Sequence, residues 1–353
     1  MKSFCIAAAL SMFAGVAAAT DQYYMVCNTG SKYIMLFDKT NGTVINDQWI
    51  DLYNAGSSFG TIKDAIQVLD EIWISDQSSL GSIYRFTADK TNPTYISTIT
   101  LPTGGNIRGM AFDGTTVYVT QNPTLAGGGR APRVVMLDRT GQQVGSFVPP
   151  AGTSSSGSSP FDALIAGNEV WVSEFFNDNV LRFQKDGTYI GEIVTKAPVA
   201  GMRVPEQIAF NNAGDLTVAG FSLPAGIYVY NPVSGAQLNY WYVGGVAGIA
   251  QLGDGRYMCT DGIGVKAYDP ANGTNIRIYG GAASSSSEYI NLVDFDATGC
   301  PADFNGDGFL DFTDFDDFVG AFEGGLPTAD FNNDGFLDFT DFDAFVGAFE
   351  GGC

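Results

Sequence analysis

The chain has 353 residues, a formal net charge of −21, five cysteines, 45 glycines and no histidine. With 38 acids against 17 bases it presents no electrostatic footprint for nucleic acid or an anionic membrane surface. The missing histidines exclude Ser-His-Asp and Cys-His nucleophile systems and His-based zinc sites, leaving carboxylates, Tyr, Lys, Arg or a hard metal for any chemistry.

Residues 1–19 carry the pattern of an export signal. Lys2 supplies the positive start, Phe4 to Val16 an apolar run too short to span a bilayer, and Ala17-Ala18-Ala19 a small-residue cleavage site before Thr20. The expected location is secreted, either extracellular or attached to the cell surface. No later stretch approaches the 18 apolar residues of a membrane span. Removal of Cys5 leaves Cys27, Cys259, Cys300 and Cys353, an even count that permits disulfides in an exported protein. Cys300 and Cys353 bracket the final segment and form the preferred pair. Cys27 and Cys259 lie in apolar strand-like runs, where they are either paired or buried thiols.

From Asp21 to about Gly299 one pattern returns every ~40 residues. Its clearest marker is a short strand ending in a hydroxyl residue: Ile72-Trp73-Ile74-Ser75, Val117-Tyr118-Val119-Thr120 and Val170-Trp171-Val172-Ser173. Looser copies begin at Tyr24, Leu216 and Tyr257, making six. Each marker is followed by a second apolar strand and a tight turn such as Asn41-Gly42, Asp186-Gly187 or Asn272-Gly273, whose residues supply the positive φ of hairpin turns. A third strand follows, and another apolar strand precedes the marker. Four short strands per repeat is the pattern of a propeller blade. The first copy lacks its inner strand, while Tyr289 to Phe295 is left over after the sixth. The expected fold is therefore all-β: a six-bladed β-propeller over residues 20–299, closed one-plus-three by that leftover strand, which covers edges an open fan leaves bare.

The segment Pro160 to Val194, with Gly167-Asn168-Glu169-Val170-Trp171-Val172-Ser173-Glu174, Asn179-Val180-Leu181-Arg182-Phe183 and Asp186-Gly187, resembles an NHL or YVTN-type repeat. Pro205-Glu206-Gln207-Ile208-Ala209-Phe210 resembles the start of another. The resemblance implies the fold far more than an activity. The longer loops share one face, including Gly127-Gly128-Gly129-Arg130, and loops on a rigid scaffold commonly carry function. Side chains that could ring that mouth are Asp64, Arg108, Asp162, Glu206 and Gln207 at inner-strand starts, with Asp76, Glu174 and Asp261 at second-strand ends. They could hold a metal or perform acid–base work, or they could simply cap turns and neighbouring amides. Related lyases imply a histidine that this chain lacks, so binding is favoured over catalysis.

Composition changes at Cys300. Residues 300–353 hold 11 Asp, two Glu, no Lys or Arg, and 12 of the 26 Phe. Pro301 to Gly325 and Thr328 to Gly352 match at 22 of 25 positions. Each half contains Asp-x-Asn-x-Asp-Gly-x-x-Asp-x-x-Asp, whose alternating oxygens suit Ca²⁺. The expected ligands are Asp303, Asn305, Asp307, the Phe309 carbonyl, Asp311 and Asp314, then Asp330, Asn332, Asp334, the Phe336 carbonyl, Asp338 and Asp341. Phe315, Phe318, Val319 and Phe322 share one face of a following helix, with Thr313 and Asp316 as its expected cap. Phe342, Phe345, Val346 and Phe349 repeat that face. Two loop-plus-helix units ending in Asp resemble a dockerin, which implies two calcium ions and a cohesin-like or other surface scaffold partner.

The leading expectation is a secreted propeller that recognises a glycan or peptide and is tethered by this calcium-dependent tail. An exported propeller hydrolase or lactonase, and a structural subunit of an extracellular assembly, are the alternatives.

Overall fold

The computed structural model describes residues 21–56, 60–78, 80–102, 104–122, 131–150, 157–195, 201–280, 286–295, 302–305, 310–332 and 336–351. The expected export signal 1–19, the Gly127–Arg130 run, Cys300, Cys353, Asp307, Phe309 and Asp334 lie outside the described residues.

Among the described residues, twenty-four strands form six antiparallel four-stranded sheets. The first sheet contains β1 (Gln22–Asn28), β2 (Tyr33–Asp38) and β3 (Val44–Asp51). The second contains β4 (Ile62–Val68), β5 (Glu71–Asp76), β6 (Ser82–Thr87) and β7 (Tyr95–Thr100). In the third are β8 (Asn106–Phe112), β9 (Thr116–Asn122), β10 (Arg133–Asp138) and β11 (Gln143–Phe147), and in the fourth β12 (Pro160–Ala166), β13 (Glu169–Glu174), β14 (Asn179–Gln184) and β15 (Tyr189–Val194). The fifth comprises β16 (Pro205–Phe210), β17 (Leu216–Gly220), β18 (Gly226–Tyr230) and β19 (Gln237–Tyr242). The sixth comprises β20 (Ile249–Gln251), β21 (Tyr257–Asp261), β22 (Gly264–Tyr268) and β23 (Asn275–Gly280).

The last strand, β24 (Ser287–Asp294), returns to the first sheet and pairs antiparallel with β1, from Gln22 opposite Asp294 to Val26 opposite Ile290. Inner strands β4, β8, β12, β16, β20 and β24 neighbour one another in that cyclic order. The chain is a six-bladed propeller with the one-plus-three closure that the strand arithmetic implies.

The core is divided among the blade interfaces. One apolar layer packs Met25, Ile34 and Trp49 of blade 1 against Ile62, Ile72 and Tyr84 of blade 2. Equivalent layers join each successive pair around the ring, ending with Met258 and Val265 of blade 6 against Met35 and Phe37 of blade 1. Cys27 lies in the blade 1–2 layer and Cys259 in the blade 5–6 layer, both buried free thiols. Of the two readings open from sequence, the structure selects the thiols: the two cysteines belong to different layers of the ring.

The tail contains helices α1 (Phe312–Glu323) and α2 (Phe339–Gly351). Phe318 and Phe345 are fully buried and stack at 3.9 Å, with Phe315, Val319, Phe322, Phe342, Val346 and Phe349 packed around them. The repeated apolar stripe thus builds one shared core from two short helices. The α1 cap differs from the Thr313–Asp316 expectation. Asp311 is the N-cap, accepting from the Thr313 N–H, and Asp314 completes a capping box. A carboxylate at Asp311 already reaches the amide two residues on, so the hydroxyl of Thr313 points back to that same carboxylate at 2.6 Å.

A chain ending at residue 286 leaves β1 without its inner partner, whereas one ending at residue 299 keeps β24. Thermal unfolding followed by near-ultraviolet circular dichroism is expected to stay cooperative only in the longer form.

Candidate functional site

The side chains at the ring's centre are presented by a repeated irregularity. Register slips in the inner strands between Ile62 and Asp64, Ile107 and Met110, Pro160 and Ala163, and Pro205 and Ile208; in blade 1 the slip lies opposite Glu288 and Tyr289. A bulge leaves extra residues out of the ladder and re-aims their side chains. It therefore brings out Lys63, Arg108, Phe161, Glu206 and Glu288 at corresponding positions of five blades.

The bulges also leave backbone groups that need partners from outside their own ladder. The hydroxyls that end the marker strands supply them. Ser75 Oγ accepts from the Asp64 N–H at 3.1 Å and donates to the Arg108 carbonyl of the next blade at 2.6 Å. Ser173 repeats this between the Asp162 N–H and the Glu206 carbonyl, at 3.0 and 2.7 Å. Thr120 Oγ1 reaches the Phe161 carbonyl at 2.9 Å, and Thr260 Oγ1 accepts from the Gly248 N–H at 2.6 Å.

Three of the expected mouth residues perform the same linking. Asp64 accepts from the Met110 N–H of blade 3 at 2.7 Å and from Asn291 Nδ2 of blade 1 at 2.5 Å. Asp162 accepts from the Ile208 N–H of blade 5 at 2.9 Å. Gln207 Oε1 accepts from the amides of Ile249 in blade 6 and Ile290 in blade 1, both at 2.9 Å, while its Nε2 donates to the Ile290 carbonyl at 2.6 Å. Gly109 is required here, because a Cβ on it would lie 2.1 Å from an Asp162 carboxylate oxygen.

Lys63, which the sequence reading did not single out, is the electrostatic centre. It is 4 % exposed, and its ammonium donates to Glu206 and Glu288 at 2.6 Å each. It also lies 4.5 Å from the centre of the Tyr289 ring. Burial alone would lower its pKa, but the two glutamates hold it above the usual lysine value. The Arg108 guanidinium lies 3.4 Å over the Phe161 ring, and burial pushes its pKa down to about 10. Burial also raises Asp64 to about 7, and burial together with the charge of Asp64 raises Asp162 well above the usual carboxylate range. Glu174 and Glu288 are raised by burial as well. Adjacency to Asp64 and Asp162 was the only sequence signal for Lys63 and Phe161; nothing local pointed to Glu288 or Tyr289, which fold back from the far end of the ring.

The remaining expected residues are committed elsewhere. Asp76 accepts from the amides of Gly60 and Ser78, at 3.1 and 3.0 Å. Glu174 accepts from the Ser158 hydroxyl and the Ser159 N–H, at 2.5 and 2.7 Å. Asp261 forms ion pairs with Lys266 and Arg277 at 2.6 and 2.9 Å; these outweigh burial and hold its carboxyl below the usual range. Among the described residues no group of three or more Asp, Glu, Cys or His is arranged to hold a metal ion. The mouth acids act as turn caps, ion pairs and links between blades.

In the tail, Asp314 is fully buried and accepts from the amides of Asn305 and Asp311, at 3.2 and 2.9 Å. Asp341 does the same with Asn332 and Asp338, at 3.1 and 2.9 Å. Asn305 Nδ2 donates to Thr313 Oγ1 at 3.1 Å, and Asn332 Nδ2 to Thr340 Oγ1 at 2.9 Å. The sequence duplication is thus matched by a repeat of these bonds in the described parts of both loops.

No family model matches the chain, and no curated protein matches it in sequence. Solved structures match its shape. A chain of the nidogen/laminin complex superposes with a TM-score of 0.57 at 16 % identity, over 77 % of this chain and 98 % of that one. A protein of unknown function from Bacteroides caccae gives 0.56 at 13 % identity over 77 % and 98 %. Streptogramin B lyase gives 0.51 at 14 % over 77 % and 98 %. Similarity at this level establishes the fold alone. Ring, closure and comparisons together define the class: a six-bladed β-propeller followed by a helical segment.

Two measurements test this site. Ser173→Ala strips the link between the Asp162 amide and the Glu206 carbonyl, and is expected to destabilise the propeller by about 1–3 kcal/mol in denaturant unfolding. A carboxyl raised from about 4 unfolded to about 7 folded adds stability that is full below pH 4 and lost as pH rises through 7. The propeller is therefore expected to melt higher at pH 5 than at pH 8. Asp64→Asn should shrink that difference, measured by calorimetry. Groups held low, such as Asp261, lose their contribution only below about pH 4.

Proposed function

We propose that the chain is an exported propeller acting as a recognition module, held to a surface or multiprotein scaffold by a calcium-loaded, dockerin-like tail. The observation that carries the tethering is the duplicated loop geometry around Asp314 and Asp341. Each of these carboxylates ties the start of its loop to the start of its helix. Each also keeps lone pairs beyond the two amides it accepts from, so it remains competent to ligate a cation. Asp303, Asn305, Asp311 and Asp314, and Asp330, Asn332, Asp338 and Asp341, are all oxygen donors, the hard set that Ca²⁺ selects. Asp307, Asp334 and the Phe309 and Phe336 carbonyls would complete the two shells. Calcium would neutralise carboxylates that otherwise repel one another across a short loop.

Recognition rather than catalysis is supported by the fate of the mouth acids, which accept backbone amides or pair with cations. A partner of cohesin type is the reading for the tail, whose Phe312, Phe336 and Phe339 side chains are strongly exposed.

Isothermal titration of the metal-free chain with Ca²⁺ is expected to show two bound ions, with a gain in helical signal. Asp314→Ala and Asp341→Ala should each abolish one of them. Absence of calcium uptake would remove the tethering model. Retention of the protein on the cell surface in the presence of a chelator would do so as well.

A further inference from the structure

Two buried polar groups at the channel mouth have no partner among the described residues: Arg108 Nη1 and the Tyr289 hydroxyl. Arg108 is 8 % exposed and Tyr289 1 % exposed. Buried donors are almost always hydrogen-bonded, and leaving them bare opposes folding. Both belong to one cluster, since Lys63 Nζ sits 4.5 Å over the Tyr289 ring and 5.9 Å from the Phe161 ring, which the Arg108 guanidinium covers at 3.4 Å. Arg108 Nε is taken by Asn106 at 3.1 Å, so its free edge is the one that carries Nη1.

Charge selects the kind of group that can complete the pair. Glu206 and Glu288 are balanced by the charges of Lys63 and Arg108, while Asp64 and Asp162 in the same centre are raised by burial toward their neutral forms. With those charges matched, an entering anion would face the two glutamates and an entering cation would face Lys63 and Arg108. A neutral hydroxyl both donates and accepts. It can receive from Arg108 and Tyr289 and give to the glutamate oxygens that Lys63 leaves unoccupied. Phe176, half exposed on the loop after β13 and edge-on to Phe175, adds an apolar surface beside the stacked Phe161–Phe175 pair.

We propose that the channel mouth binds a hydroxyl-bearing edge of an uncharged saccharide, with Arg108 Nη1 and the Tyr289 hydroxyl as donors and Glu206 and Glu288 as acceptors. This rests on the recognition reading above and names the ligand class for it.

The test is titration calorimetry of the full chain with cellobiose, maltose, lactose and chitobiose, and with glucuronate as the charged counterpart. At least one neutral disaccharide is expected to bind, with glucuronate weaker. Arg108→Met and Tyr289→Phe should each lower affinity about tenfold or more. Tyr289→Phe should also leave the melting temperature unchanged or higher, because it deletes an unpartnered hydroxyl; a structural hydroxyl would lower it. Binding unchanged by Tyr289→Phe, a lower melting temperature in that variant, preference for glucuronate, or no binding of any of the four disaccharides overturns the proposal. A broad glycan and peptide array separates the two levels. Wild-type array binding that both substitutions leave intact sinks the saccharide subsite but keeps the recognition reading, whereas an array with no ligand sinks that reading itself.

Discussion

The inner strands of this propeller bulge where they meet the central channel, and the backbone groups freed by those bulges must find partners in the next blade. Short hydroxyls and carboxylates meet that need. Ser75 and Ser173 each join an amide of their own blade to a carbonyl of the following one. Asp64 and Asp162 carry a second set of bonds across the same two boundaries, and Gln207 links blade 5 to blade 6. A buried backbone group left without a partner costs about 1–3 kcal/mol, so a ring of such positions decides whether six sheets become one domain. The apolar layers between blades supply the bulk of the burial, but they are nondirectional; the hydrogen bonds fix how neighbouring blades meet.

The same requirement shapes the electrostatics of the channel. Carboxylates placed at the bulges are far from water, and burial raises Asp64, Asp162 and Glu288. Lys63 is tolerated in that environment because two glutamates flank it, and they are tolerated because of it. Charges so paired and amides so bonded make a rigid polar lining. They also leave the centre rich in hydrogen-bonding edges and poor in free charge.

The tail solves a different problem. Its two helices, of 12 and 13 residues, are too short to stand alone, and their stability comes from a shared aromatic core in which Phe318 and Phe345 stack. The described parts of the two loops repeat the same carboxylate-to-amide bonds. Asp311 caps its helix and belongs to the expected metal shell, which couples the loop to helix formation.

Much of the architecture was legible along the chain. Strand periodicity, Gly turns and the leftover strand 289–295 determine six blades and their closure, because alternation and turn chemistry act over a few residues. The tail's helix faces follow from the same local logic. The marker hydroxyls Ser75, Thr120 and Ser173 were visible as a repeat, yet their purpose lies in atoms of another blade. The clustering at the mouth was even less accessible. Lys63 meets Glu206 and Glu288, which are 143 and 225 residues away, and Tyr289 arrives from the closing strand. Ring closure alone brings those side chains together and buries them. The sequence by itself therefore determined which elements form and in what order. Only the tertiary structure decided which polar groups share the centre, because burial and pairing between distant blades, not residue type, set their charge and their partners.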